Sequence, residues 1–220
     1  MKKRTAFIGA ILSLIPLGQP LMIKTGVVLS TTGFFLSVSE KVYAGDYLYY
    51  FNLAYDKAER GDHYGAISDY TKAIEINPYE AKVYNNRGSS KDEIKDYYGA
   101  ISDYIKAIEI NPNYANAYYN RGNTKYTLKD YYGAISDYTK TIEINPNYAQ
   151  AYNNRGNTKR KLKDYYGAIS DYTKAIEINP SEGAYYNRGI SKYEIKDYYG
   201  AISDYTKAIE INPEKDEAYN

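Results

Sequence analysis

Cysteine and tryptophan are absent from this 220-residue sequence, and histidine occurs once. No disulfide framework, thiol nucleophile or cysteine-bound metal is therefore open to it, and any redox compartment is compatible with it. His63, the lone histidine, has no second imidazole with which to share a metal or relay a proton, and the repeat register below gives it a packing place. Proline is sparse, at seven residues. Net charge is close to absent as well, at +1 over the whole chain. Residues 1–44 carry Lys2, Lys3, Arg4, Lys24 and Lys41 against Glu40 alone, so this stretch is +4 and the rest is −3. A body without a positive field does not neutralise phosphates, which argues against nucleic acid and against anionic membrane surfaces as its partners. No nucleophile, base and metal set converges anywhere, so no catalytic residue, metal site or cofactor is expected.

The N-terminal stretch reads as a targeting segment. Met1 to Arg4 form a basic start, and residues 5–23 then run without a charge through Ile8, Ile11, Leu12, Leu14, Ile15, Leu17, Leu21 and Ile23. As a helix this run reaches about 28 Å, near the hydrocarbon thickness, with Pro16 and Pro20 to kink it. A weaker apolar stretch from Thr25 to Ser39 ends at Val42-Tyr43-Ala44, which suits signal-peptidase cleavage after Ala44. Three readings stay open: a long cleaved export signal, a retained single anchor, and a hairpin or amphipathic leader. The first two place the remainder of the chain outside the cytoplasm, in the periplasm or an equivalent lumen.

Tyrosine, at 31 residues, is what the chain has in excess, and it recurs in step with a repeat. Asn-Pro stands at Asn77-Pro78, Asn111-Pro112, Asn145-Pro146, Asn179-Pro180 and Asn212-Pro213, with proline spacings of 34, 34, 34 and 33. Residues 164–180 and 197–213 both read DYYGAISDYTKAIEINP, and the other copies differ at only one or two positions. Within this half, Tyr131, Ala134, Ile135, Tyr138 and Ile142 fall on one helical stripe. Asp130 stands where an N-cap belongs, and Asn145-Pro146 closes a helix over residues 131–144. The first half of a copy, Ala117 to Leu128 for example, is helical by period too. Its stripe contains Arg121 and Lys125, whose stems can pack while their charged ends reach outward; Arg121 has Asp137 or a tyrosine ring as possible partners. Asp103, Asp137 and Asp171 recur because the repeat recurs and belong to a solvated or ion-paired face. Small residues recur where the paired helices must approach, at Gly88, Gly122, Gly156 and Gly189 and at Ala66, Ala100, Ala134, Ala168 and Ala201.

This spacing, the small residues and the terminal proline resemble the tetratricopeptide repeat, with Tyr84, Tyr118, Tyr152 and Tyr185 at the family's usual tryptophan place. The chain departs from the family in having arginine for leucine (Arg87, Arg121, Arg155, Arg188) and lysine for tyrosine (Lys91, Lys125, Lys159, Lys192). The resemblance implies an all-α fold, a right-handed α-solenoid of five helix-turn-helix repeats behind the targeting segment. The repeats span 47–80 (degenerate, with Leu53 and Ala54 for Arg-Gly), 81–114, 115–148, 149–182 and 183–215, and residues 216–220 start a further helix. An end without a polar cap invites self-association into a homo-oligomer.

Opposite the tyrosine-glycine side, each first helix carries an asparagine in register: Asn52, Asn86, Asn120, Asn154 and Asn187. Residues four before and three after share each rung, giving Lys82 and Ser89, Asn116 and Asn123, Gln150 and Asn157. The resemblance implies that this face lines the concave groove. An asparagine row offers donors and acceptors to the amides of an extended peptide without reading its side chains. The Tyr119 to Thr124 run is similar to repeats of the glycosyltransferase that attaches N-acetylglucosamine to proteins, where such a ladder holds peptide backbone. The carboxylate clamp of chaperone-binding relatives is not expected, because Phe51 and Tyr55 stand at its lysine and asparagine places and only Asn86 fits. A protein-binding scaffold that assists assembly of a membrane complex is the leading expectation. A self-associating spacer and a helical-repeat protein for single-stranded RNA are the alternatives.

Overall fold

The computed structural model describes residues 35–213, and among these residues the chain forms ten α-helices and no strand. They pair in order: α1 (Phe35–Glu59) with α2 (His63–Ile76), α3 (Ala81–Glu93) with α4 (Tyr97–Ile110), α5 (Ala115–Thr127) with α6 (Tyr131–Ile144), α7 (Ala149–Lys161) with α8 (Tyr165–Ile178), and α9 (Glu182–Glu194) with α10 (Tyr198–Ile211). The helix expected over residues 131–144 is α6, and the one expected from Ala117 to Leu128 begins slightly earlier, as α5. Most of the targeting segment and the helix start at 216–220 lie outside the described residues. The first described helix runs unbroken from Phe35 through Ala44. No helix among the described residues is long and apolar enough to cross a membrane.

Local chemistry fixes the ends of each helix. Asp62, Asp96, Asp130, Asp164 and Asp197 cap the second helices, each carboxylate accepting from the amide of a glycine three residues on. A Cβ at Gly133 would crowd the Asp130 carboxylate, so the cap would have to shift to admit one. The turn before the cap needs one left-handed residue. Gly61 fills it in the first copy at φ 81°, but Lys95, Lys129, Lys163 and Lys196 fill it elsewhere at φ 63–66°. At the other end, Asn77, Asn111 and Asn145 turn extended ahead of proline, and each side chain accepts from the amide two residues on. The last repeat lacks one loop residue, and Ser181 caps α9 there by accepting from Ala184.

The core is built from alanine and tyrosine, with alanines such as Ala66, Ala100, Ala134, Ala168 and Ala201 at most 1% exposed. Tyr104, Tyr138 and Tyr172 are buried against Gly88, Gly122 and Gly156, where a Cβ would approach the ring to 2.7–2.8 Å. The small residues thus mark the contact that sequence spacing indicates.

The charged ends of Arg121 and Lys125 do not reach outward as expected. Asp137 is 2% exposed, accepts two bonds from the Arg121 guanidinium at 2.9 and 2.6 Å, and lies 2.8 Å from the Lys125 ammonium. The same triad forms on Asp103, Asp171 and Asp204. A carboxylate on the second helix draws both cations inward, because a fork of two parallel bonds to a buried anion outweighs their hydration. The guanidinium also lies over a tyrosine ring one turn back, 5.5 Å away for Arg121 and Tyr118. Arg87, Arg155 and Arg188 each donate once more, to a threonine on the second helix of the preceding repeat. Arg121 makes no such bond because the matching residue is Ile105. Replacing leucine and tyrosine with arginine and lysine therefore exchanges an apolar contact for an ionic one that ties the two helices of a repeat, while the arginine-to-threonine bond reaches the preceding repeat.

Candidate functional site

Curvature decides which surface can hold a partner. Adjacent first helices touch, α3 with α5, α5 with α7 and α7 with α9, whereas the second helices α4, α6, α8 and α10 do not touch one another. The stack bends toward its first helices, so these line the inside of the curve and the second helices its outside.

The asparagine row runs along this inner side, but part of it is engaged within the protein. Asn120 donates to Asn85 Oδ1 across the repeat boundary at 3.0 Å. Asn154 uses both amide hydrogens, toward Tyr119 and Asn123 at 3.0 Å each, and accepts from Asn153. Asn86 accepts from Asn85 and is hydrogen-bonded to Tyr70. Asn52 and Asn187 keep their amides unengaged among the described residues. Of the flanking positions, Lys82, Ser89, Asn116 and Gln150 are exposed. Lys82 lies 5.1 Å from the Phe51 ring centroid, and Asn116 accepts from the Tyr148 hydroxyl. Asn123 and Asn157 are half-buried and accept from the hydroxyls of Tyr138 and Tyr172 at 2.8 Å. The row is therefore a bracing network with open places, and the open places are Asn52, Asn187 and the exposed flanks.

Sequence spacing missed the tyrosine hydroxyls that organise this network. Burial pushes the Tyr70 and Tyr172 phenols up to about 12, with hydrogen bonds from Asn86 and Arg160 pulling the other way. Tyr104 and Tyr138 are raised by burial too. All four stay protonated, and Tyr138 and Tyr172 donate toward the inner face, to Asn123 and Asn157. Between successive first helices open two clefts that occupy the same place two repeats apart. One, of about 260 Å³, is lined by Tyr55, Ala58, Glu59, His63, Tyr70, Asn86, Ser89 and Glu93. The other, of about 190 Å³, is lined by Asn123, Tyr126, Thr127, Tyr138, Asn154 and Asn157. His63 sits at the start of α2, half-buried, with Nδ1 buried and unpartnered at the edge of the first cleft.

This arrangement offers amides, hydroxyls and scattered charges along a curved wall. Among the described residues no group of histidine, aspartate and glutamate is placed to hold a metal ion.

Three family models match the chain. Models described as tetratricopeptide repeat match residues 115–148, 149–182 and 183–215 and residues 47–80, and one described as TPR repeat matches residues 93–129. No curated protein matches the sequence. Among solved structures, a MamA protein is 25% identical, with a TM-score of 0.70 over 79% of this chain and 96% of that one. YrrB, described as a TPR protein with an unusual peptide-binding site, is 22% identical at a TM-score of 0.65, over 84% and 94%. The pilF protein of Pseudomonas aeruginosa is 19% identical at a TM-score of 0.70, over 76% and 77%.

Proposed function

The chain belongs to the tetratricopeptide repeat family, and we propose that it is a scaffold holding an extended segment of a partner protein along the inner wall of its first helices. The observation that carries this reading is the inward curvature of a wall rich in amides and hydroxyls, with Asn52, Asn187, Asn116 and Gln150 open to a peptide backbone. Such groups hold the backbone of a strand while leaving its side chains to the flanking positions. The fold shared with YrrB supports the capacity of such a stack for peptide, and the binding residues here are this chain's own.

The scaffold performs no catalysis in this reading, and nucleic acid is not its ligand, in keeping with the −3 charge of residues 45–220. Residues 1–44 export the chain or anchor it, which puts the repeats outside the cytoplasm and suits assembly of a membrane complex. A second reading rests on α10, where Ile202, Ile209 and Ile211 are 61%, 48% and 46% exposed. Self-association through this face covers them. A strict monomer in sedimentation at high concentration excludes it.

The groove reading is tested by capture with the full chain, repeated after Asn52, Asn116, Gln150 and Asn187 are changed to alanine. These positions do not brace the stack, apart from the bonds that link Asn116 to Tyr148 and Tyr114, so the variant stays folded. Loss of the same partners places binding in the groove; unchanged capture moves it to the outer surface.

A further inference from the structure

The copies differ mostly in their first helices. The second-helix run of residues 62–78 and its four equivalents are identical except at His63, Ile105 and Thr141. Exposure does not account for variation elsewhere, because Tyr98, Ser102, Lys106 and Glu109 of α4 are exposed and the same in all five copies. The first helices differ at the position of Ala58, Asp92, Tyr126, Arg160 and Tyr193, and at the next, Glu59, Glu93, Thr127, Lys161 and Glu194. Both positions lie on the inner wall, since Ala58 and Glu59 line one cleft and Tyr126 and Thr127 line the other.

Charge along this wall is ordered. Glu59, Asp92 and Glu93 make the first two repeats acidic, Tyr126 and Thr127 are neutral, and Arg160 and Lys161 make the fourth basic. Beyond them Glu194 is hydrogen-bonded to the Tyr165 hydroxyl. The two half-buried charged members of the series each keep an unpartnered atom: Asp92 Oδ1 and Arg160 Nε are buried without a hydrogen bond, although Asp92 is bonded to Thr124 and Arg160 to Tyr172. These atoms of opposite sign occupy one structural position, two repeats apart. First helices stacked roughly 10 Å apart separate them by about 20 Å, which an extended strand spans in about six residues.

We propose that the groove selects an extended peptide segment carrying a basic side chain that meets Asp92 and Glu93 and an acidic side chain, about six residues away, that meets Arg160 and Lys161. This deepens the scaffold reading and rests on it. Complementary charge at both ends fixes register and polarity on a wall whose asparagines read only the backbone.

The test uses the full chain and three synthetic peptides of a neutral extended sequence, with Lys and Glu about six residues apart, with Lys at both places, and with Glu at both. The mixed peptide binds at least ~10-fold more tightly than either single-sign peptide, the size of one well-placed charge pair. A double swap, Glu93→Lys with Lys161→Glu, leaves Asp92 beside a lysine and Arg160 beside a glutamate, so neither end keeps a net charge and the preference for the mixed peptide is lost. A spin label beside the lysine of the mixed peptide broadens α3 in the parent and loses that selectivity after the swap. Both swapped residues are exposed, so folding is not at stake. Equal affinity for all three peptides, or a preference for the mixed peptide that survives the swap, overturns the proposal. In either case capture that still depends on Asn52, Asn116, Gln150 and Asn187 leaves the scaffold reading standing.

Discussion

Removing one carboxylate should destabilise the stack far more than removing the whole ionic cluster. Asp137 is 2% exposed and holds Arg121 and Lys125, whose side chains are 17% and 22% exposed. Asp137→Ala leaves two cations facing each other in a half-buried pocket. Loss of one partner from a buried pair costs roughly 3–5 kcal/mol, and because both cations can swing partly outward the lower end, about 3 kcal/mol, applies here. Changing all three residues, with Arg121→Leu and Lys125→Tyr alongside Asp137→Ala, removes the stranded charges and should return stability to within about 1 kcal/mol of the parent. Urea unfolding of the variants, followed by circular dichroism, supplies the numbers. A cycle between Arg121→Ala and Asp137→Ala should show more than about 1 kcal/mol of coupling. Single changes that each cost under about 0.5 kcal/mol, without coupling, refute the argument that the ionic triad replaces the apolar contact.

Lys129→Gly relieves a left-handed residue at φ 64° and should stabilise by about 1 kcal/mol, read as a higher urea midpoint; a fall shows that the lysine side chain matters more than its backbone. Gly122→Ala should destabilise by about 1–3 kcal/mol, since its Cβ would lie 2.8 Å from the buried Tyr138 ring, whereas Gly183→Ala, with nothing within 4 Å, should stabilise slightly. Opposite signs in thermal melts check the pair. Burial alone would raise the Asp204 carboxyl, but the hydrogen bonds of Arg188 and Lys192 hold it below its ordinary 3.8. A carboxyl depressed on folding adds stability that is present above the unfolded value and disappears as pH falls through the folded one. Asp204→Asn should therefore destabilise at neutral pH, with the difference from the parent shrinking below about pH 4; a difference that is flat with pH contradicts this.

The architecture was legible because each copy announces its own punctuation: Asp130 as a cap, Asn145-Pro146 as a stop, and Gly122 opposite Tyr138. Residue spacing named Arg121 and Asp137 as possible partners. It could not show that Lys125 joins them or that the cluster turns inward, because the direction of a long cation depends on an anion delivered by another helix. The asparagine row was legible as a register and not as a set of free amides. Asn154 is engaged by Tyr119 and Asn123 from the neighbouring repeat, contacts that cross 31 and 35 residues and leave no local trace. The ordered charge at Asp92 and Arg160 takes on meaning only once the inward bend of the first helices is known.

Hydrogen exchange of the full chain, with and without the mixed-charge peptide, tests the central claim most directly. Binding on the inside of the curve predicts slowed exchange in α3, α5, α7 and α9 with α4, α6, α8 and α10 unchanged. Protection confined to those second helices would contradict it.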